Sequence, residues 1–224
     1  MNILYVYAHP NPASFNGMLK QHASDLFMQL KSEIKFSNLY EDHFKAIADW
    51  DDFNLDEAEV NSQYFLAQQD AYKNQTLSVD IRSELTKITW ADHIIFQFPL
   101  WWFSTPAILK GWLDRVLVKG FAYDSGKIFN DGLLNGKTAS LVVTTQSPES
   151  AYQTNGLHQA TIETFLHHIH HTLRFVGIKT LAPFVTYSAF NVDEEQKEKI
   201  VKDYLAYLKK LAESYNQNTS LNNV

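Results

Sequence analysis

The chain of 224 residues carries a formal net charge of -6, is 45% hydrophobic and contains no cysteine. That length supports one substantial core, so a single domain over residues 1–215 is expected, followed by a polar, disordered tail over 216–224. The acidic balance without a clustered Lys/Arg segment argues against a nucleic-acid partner, and the absence of thiols excludes disulfides, thiolate nucleophiles and cysteine-held iron–sulfur clusters, leaving a bound organic cofactor as the vehicle for any redox chemistry.

Residues 2–8 form a continuous run of apolar, β-forming side chains, the pattern of a parallel strand covered on both faces. No basic leader precedes that run and no apolar stretch approaches the ~20 residues of a membrane span, so the cytoplasm is the expected compartment. Residues 15–31 place Met18, Leu19, His22, Leu26 and Leu30 at helical spacing, with Ser14 as N-cap. A second strand is expected over 34–39, a helix over 79–90, a buried strand over 94–98 and a helix over 104–118. The remaining elements are a strand over 138–144, a helix over 158–176, a strand over 179–185 and a closing amphipathic helix over 192–215. Residues 46–75, acidic and polar around 49–59, interrupt the alternation and read as an insertion extending the cofactor site. Strands alternating with helices of this length imply right-handed crossovers and an α/β fold: a flavodoxin-like, doubly wound, five-stranded parallel sheet in the order 2-1-3-4-5, with helices on both faces.

In such sheets ligands bind beyond the carboxyl ends of the strands, which directs attention to three loops. The first, residues 8–16, leads into a helix whose free N–H groups favour a phosphate, with His9, Ser14, Phe15 and Asn16 around it. It is not the Gly-x-Gly-x-x-Gly dinucleotide fingerprint. The second, Pro99-Leu100-Trp101-Trp102-Phe103, sets bulky rings at a strand end, where a flat ligand could lie or where the rings could cap the core or meet a second subunit. The third, Thr144-Thr145-Gln146-Ser147, offers amides and hydroxyls for a polar ring edge, and is followed by two proton donors, Tyr152 and His158.

Taken together these segments resemble the flavodoxin-like NAD(P)H:quinone oxidoreductases of the DT-diaphorase type. The resemblance rests on Ala8-His9 with Ser14-Phe15-Asn16, the aromatic block from Ile95 to Phe103 continuing to Trp112, Gly120 to Tyr123, Thr144-Thr145 and Thr186 to Ser188. It implies an enzyme that takes hydride from NADH or NADPH and passes two electrons to a quinone by a ping-pong mechanism. Residues 63–81, including Gln63 and Tyr64, are similar to the longer FAD-binding branch, so FAD is the expected cofactor, with FMN as the alternative. By the same resemblance His9, Phe15, Asn16 and Gln63 hold the pyrophosphate and adenosine side, Pro99, Leu100, Trp102 and Phe103 bracket the ring, and Thr144 and Thr145 meet its polar edge. Tyr152 and His158 correspond to the catalytic pair that neutralises charge on the reduced ring, and Trp102, Phe103, Tyr123 and His158 to the acceptor site. Lys197 stands where the family has an arginine near the adenosine phosphate. A homodimer completing the site is implied as well.

This sequence departs from the family pattern where Gln146-Ser147 replaces Gly-Gly and where Asp124-Ser125 replaces a second tyrosine. The histidines His167, His170 and His171 share one helix, but no His-Glu-x-x-His motif accompanies them and no metal is expected. Two other readings share the sheet: a one-electron flavodoxin-type carrier, and a regulatory subunit of a potassium-efflux system.

Overall fold

Apolar runs at residues 2–7, 93–99 and 138–144 require cover on both faces, and the computed structural model, which describes residues 1–54 and 63–221, supplies it with helices on either side of one parallel sheet. Strands β1 (Asn2–Tyr7), β2 (Glu33–Asn38), β3 (His93–Pro99), β4 (Thr138–Thr144) and β5 (Lys179–Thr180) follow the expected order β2-β1-β3-β4-β5. A sixth strand, β6 (Phe184–Thr186), also pairs with β4, so the sheet is six-stranded rather than five-stranded. The single strand expected over 179–185 is thus two short segments alongside β4. Pro183 lies in the break and has no N–H to donate into the ladder.

The α-helices among the described residues are α1 (Phe15–Gln29), α2 (Tyr64–Asn74), α3 (Val79–Trp90), α4 (Ala107–Val116), α5 (Ile162–Phe175) and α6 (Glu194–Leu221). The two-residue period of β1 divides the core. Ile3, Tyr5 and Tyr7 pack with Leu19, Phe27, Tyr204 and Leu208 of α1 and α6, whereas Leu4, Val6 and Ala8 face Ile81, Trp112, Leu166 and Leu173 of α3, α4 and α5.

Several boundaries differ from the pattern-based expectation for local reasons. Helix α4 starts at Ala107 rather than 104, because Ser104 closes a tight turn and Pro106 occupies the N-cap. Helix α5 starts at Ile162 rather than 158, since residues 153–160 loop back toward the sheet edge. Helix α2 lies within the polar insertion; its buried positions are Ala67, Gln68, Gln69 and Ala71, which leave no apolar stripe to read. Of the polar stretch 216–224, residues up to Leu221 continue the backbone of α6, and 222–224 lie outside the described residues, as does the acidic stretch 55–62.

A buried charge cluster anchors α4. The guanidinium of Arg115, 1% exposed, donates to Asp52 at 2.8 and 3.1 Å, to Asp80 at 2.6 Å and to the Lys45 carbonyl at 2.8 Å. It joins the polar insertion to the start of α3, and burial of this kind is tolerable only because every charge is paired.

Candidate active site

Strands β3 and β4 end side by side, with Pro99 in register with Thr144 and the Leu100 N–H donating to the Thr144 carbonyl at 2.8 Å. Trp101 and Ser104 then exchange backbone bonds of 3.1 and 3.0 Å, which closes Trp102 and Phe103 into a two-residue turn. Both residues are left-handed, with φ of 48° and 61°. Asn-Gly ordinarily fills such a turn, and an L-residue with a full side chain costs roughly 1–2 kcal/mol at each position. No packing offsets that cost at Trp102, which is 93% exposed. The strain serves to hold two flat rings at the carboxyl edge of the sheet.

The loop after β1 folds over the start of α1. Ser14 caps this helix, accepting from the Gly17 N–H at 3.2 Å, and no carboxylate occupies its first turn. A Cβ on Gly17 would lie 1.8 Å from the Pro12 carbonyl oxygen, so only glycine permits the close approach. Asn16 points inward: its Nδ2 donates to Thr144 Oγ1 at 2.8 Å, while Gln97 Nε2 donates to the Asn16 carbonyl at 2.8 Å and to its Oδ1 at 3.2 Å. Gln97 Oε1 accepts in turn from the Tyr5 hydroxyl, which lies 2.9 Å from that of Tyr204. A buried chain therefore runs from α6 through β1, β3 and α1 to the end of β4. His9 sits above it, 6.2 Å from Trp101; burial lowers its pKa, and the Asn11 N–H bonds its Nδ1 at 3.1 Å.

Opposite the aromatic turn, a short helical turn at Glu149–Tyr152 buries Tyr152, and the following loop returns His158 to within 4.7 Å of its ring. The His158 N–H donates to the Ala151 carbonyl at 3.0 Å. Gly156 permits this return, since a Cβ there would meet the Ser150 carbonyl oxygen at 2.3 Å. Phe103 lies edge-on to His158 at 5.1 Å, and Tyr187 flanks Tyr152 at 5.6 Å. The hydroxyl of Tyr152 bonds to no other described residue, whereas His158 Nε2 is 3.1 Å from Ser147 Oγ. Between the Leu100–Phe103 segment and Gln146, Ser147, Tyr152 and His158 lies a cleft of about 390 Å³.

Most residues singled out in the sequence therefore surround one edge: His9, Ser14, Phe15 and Asn16 below the first loop, Pro99 to Phe103, Thr144 to Ser147, Tyr152 and His158. Three do not. Tyr123 lines a separate groove between α2, α4 and α5, with its ring 5.6 Å from Phe175. Lys197 pairs with Glu194 at 3.3 Å and lines a groove against Met18 and His22 of α1. Gln63 occupies the N-cap of α2. Among the described residues no group of three His, Asp or Glu is placed to hold a metal ion; His167 and His171 instead stack on each other at 5.6 Å. Gln97 and Tyr187 were not assigned roles from sequence. The former is a polar residue inside an apolar strand, and the latter follows the last strand. Burial, reinforced by Glu149 and Glu163, pushes the Tyr187 phenol up to about 12, so it stays protonated.

The edge suits a flat heteroaromatic cofactor. Apolar rings stand on one side and hydrogen-bonding groups on the other, and Thr186 Oγ1, in register beside Thr144, is buried without a partner among the described residues. Residues 1–211 match the family described as flavodoxin-like fold. The chain belongs to that family. Ribosyldihydronicotinamide dehydrogenase (quinone) of Pongo abelii is 42% identical over 202 residues, covering 89% of this chain and 87% of the relative. Rat NAD(P)H dehydrogenase (quinone) 1 is 35% identical over 203 residues, covering 90% of this chain and 74% of the relative. A solved structure from Klebsiella pneumoniae, described as a candidate quinone reductase, superposes with a TM-score of 0.90 at 37% identity, covering 94% of this chain and 85% of that one.

Proposed function

We propose that this flavodoxin-like protein is a flavin-dependent oxidoreductase that carries two electrons from a dihydronicotinamide to a quinone, donor and acceptor occupying the same cleft in turn. The observation that carries this reading is the facing arrangement of Tyr152 and His158, 4.7 Å apart, across the cleft from the strained Trp102–Phe103 turn. When bound, the flavin supplies a store for two electrons. The chain supplies the rest. His9 and the backbone N–H groups at the capped start of α1, that of Asn16 among them, offer donors to its phosphates, while Pro99 to Phe103 provide the apolar wall. Thr144, Thr145 and Thr186 meet its polar edge. Tyr152 keeps a free hydroxyl to donate toward charge that develops at that edge, and His158 holds the proton that replaces it. A one-electron carrier needs no such pair of proton donors.

FAD is the preferred cofactor, on the likeness of residues 63–81 to the FAD-binding branch; FMN is the alternative. The acceptor is a quinone or a similar small aromatic. The donor is NADH or NADPH, and the ribosyldihydronicotinamide dehydrogenase relative adds the bare dihydronicotinamide riboside as a third candidate. We further read the protein as a cytoplasmic homodimer in which Tyr123, remote from its own cleft, faces the acceptor site of the partner. No helix among the described residues is long and apolar enough to cross a membrane.

Steady-state oxidation of each donor with and without menadione tests the function. Rapid turnover that requires the quinone supports it, and reduction only through an added reductase would transfer the reading to a carrier. Light scattering at micromolar concentration checks the dimer, which a monomer would refute.

A further inference from the structure

Where the family pattern places paired glycines, this chain carries Gln146 and Ser147, and the second of these touches the catalytic histidine. Ser147 Oγ lies 3.1 Å from His158 Nε2. Its backbone is fixed independently, because the Ser147 carbonyl accepts from Thr145 Oγ1 at 2.8 Å and from the Ser188 N–H at 3.2 Å. The backbone N–H of His158 donates to the Ala151 carbonyl at 3.0 Å, and Phe103 and Tyr152 flank the ring. A glycine at 147 would leave Nε2 without a partner from this loop.

We propose that Ser147 is a positioning residue that keeps the His158 ring in one orientation throughout its proton cycle. The inference rests on the oxidoreductase reading of the same cleft. A hydroxyl can both donate and accept. Toward a bare Nε2, Ser147 donates; toward a protonated Nε2, Ser147 Oγ accepts. The ring therefore exchanges a proton without turning, and the hydrogen bond survives both states. An alanine or glycine at this position removes the bond and leaves the ring free to turn about its side-chain torsions. The titratable groups around His158 are Tyr152 on the preceding turn, Tyr187 after β6, and Glu149 and Glu163, which act on Tyr187 from the turn and from α5. None of them replaces the hydroxyl as a partner for Nε2 among the described residues.

The test compares wild type, Ser147→Ala and Ser147→Thr as flavin-loaded proteins. Imidazole 15N chemical shifts across the pH range report the hydrogen bond at His158 Nε2, and ring-to-backbone couplings report its orientation. The expected result is a hydrogen-bonded Nε2 and one ring orientation in wild type and in Ser147→Thr, and the loss of both in Ser147→Ala. With menadione, kcat of Ser147→Ala should fall about three- to tenfold, the size of one lost neutral hydrogen bond, with a displaced pH profile that Ser147→Thr restores. Unchanged Nε2 shifts and an unchanged ring orientation in Ser147→Ala overturn the proposal, and so does a loss in Ser147→Thr equal to that in Ser147→Ala while both retain the wild-type melting temperature. Absence of turnover in wild type itself would instead sink the oxidoreductase reading, and the nitrogen shifts would still decide the role of Ser147.

Discussion

Substituting Gln97 probes whether the buried polar chain behind the site holds it together. The side chain is fully buried in β3, accepts from Tyr5 and donates to both oxygens of Asn16, at 2.8 and 3.2 Å. Gln97→Met keeps length and volume but removes both functions. The Asn16 oxygens lose their donor and the Tyr5 hydroxyl loses its acceptor, with only Tyr204 at 2.9 Å left to it. At roughly 1–3 kcal/mol for each buried group left unpaired, two such losses, partly relieved through Tyr204, give a destabilisation of about 3 kcal/mol. In a domain of this size that corresponds to a fall in melting temperature of roughly 6–12 °C. Urea unfolding should show a lower midpoint with an unchanged slope. Tyr5→Phe supplies the control: combined with Gln97→Met, it should cost about 0.5–1 kcal/mol less than the sum of the single changes, because the two side chains share a bond. A loss below about 1 kcal/mol for Gln97→Met, or strict additivity in the pair, would refute the network.

Other perturbations separate stability from chemistry. Tyr152→Phe should lower kcat/KM for menadione by about 10²-fold at an unchanged melting temperature, since its hydroxyl bonds no other described residue. Trp102→Gly relieves a left-handed residue that is 93% exposed, so stability should hold or rise by up to about 1 kcal/mol in thermal melts while KM for the acceptor increases. Arg115→Met leaves Asp52 and Asp80 without their guanidinium and should cost roughly 3–5 kcal/mol in urea, toward the lower end because Lys45 remains 3.2 Å from Asp52. Burial lowers the His93 pKa from 6.5 to about 3, so the unfolded chain takes up a proton near pH 6.5 and the folded chain does not; stability is full above that pH and should fall by about 2 kcal/mol on reaching pH 5, a slope that His93→Gln flattens.

The sheet was legible because β1, β3 and β4 are predominantly apolar and almost wholly buried, and few structures other than a doubly covered parallel sheet bury such runs on both faces. Where the signal was mixed, the reading slipped. The two short strands beside β4 looked like one because Pro183 interrupts the ladder without interrupting the apolar pattern. Helix α2 went unseen because Ala67, Gln68, Gln69 and Ala71 form its buried side and no apolar stripe marks it. At the site, the loops announced themselves by residues that sheet ends do not otherwise need: two adjacent tryptophans, a capped helix start and a threonine pair. The contact between Ser147 and His158 could not be read, since it depends on a loop that Gly156 folds back over ten residues. Tyr123 and Lys197 carried no spacing signal of their own, and the fold places both on other surfaces of the chain.

The central claim is spatial, and a crystal structure of the protein grown or soaked with FAD addresses it most directly. The account predicts the ring system lying against Leu100 to Phe103, with its polar edge at Thr144 to Ser147 and the Tyr152 hydroxyl within hydrogen-bonding reach of it. Density for the ring in the groove between α1 and α6, or a saturated protein whose cleft beside Tyr152 and His158 stays empty, would contradict it.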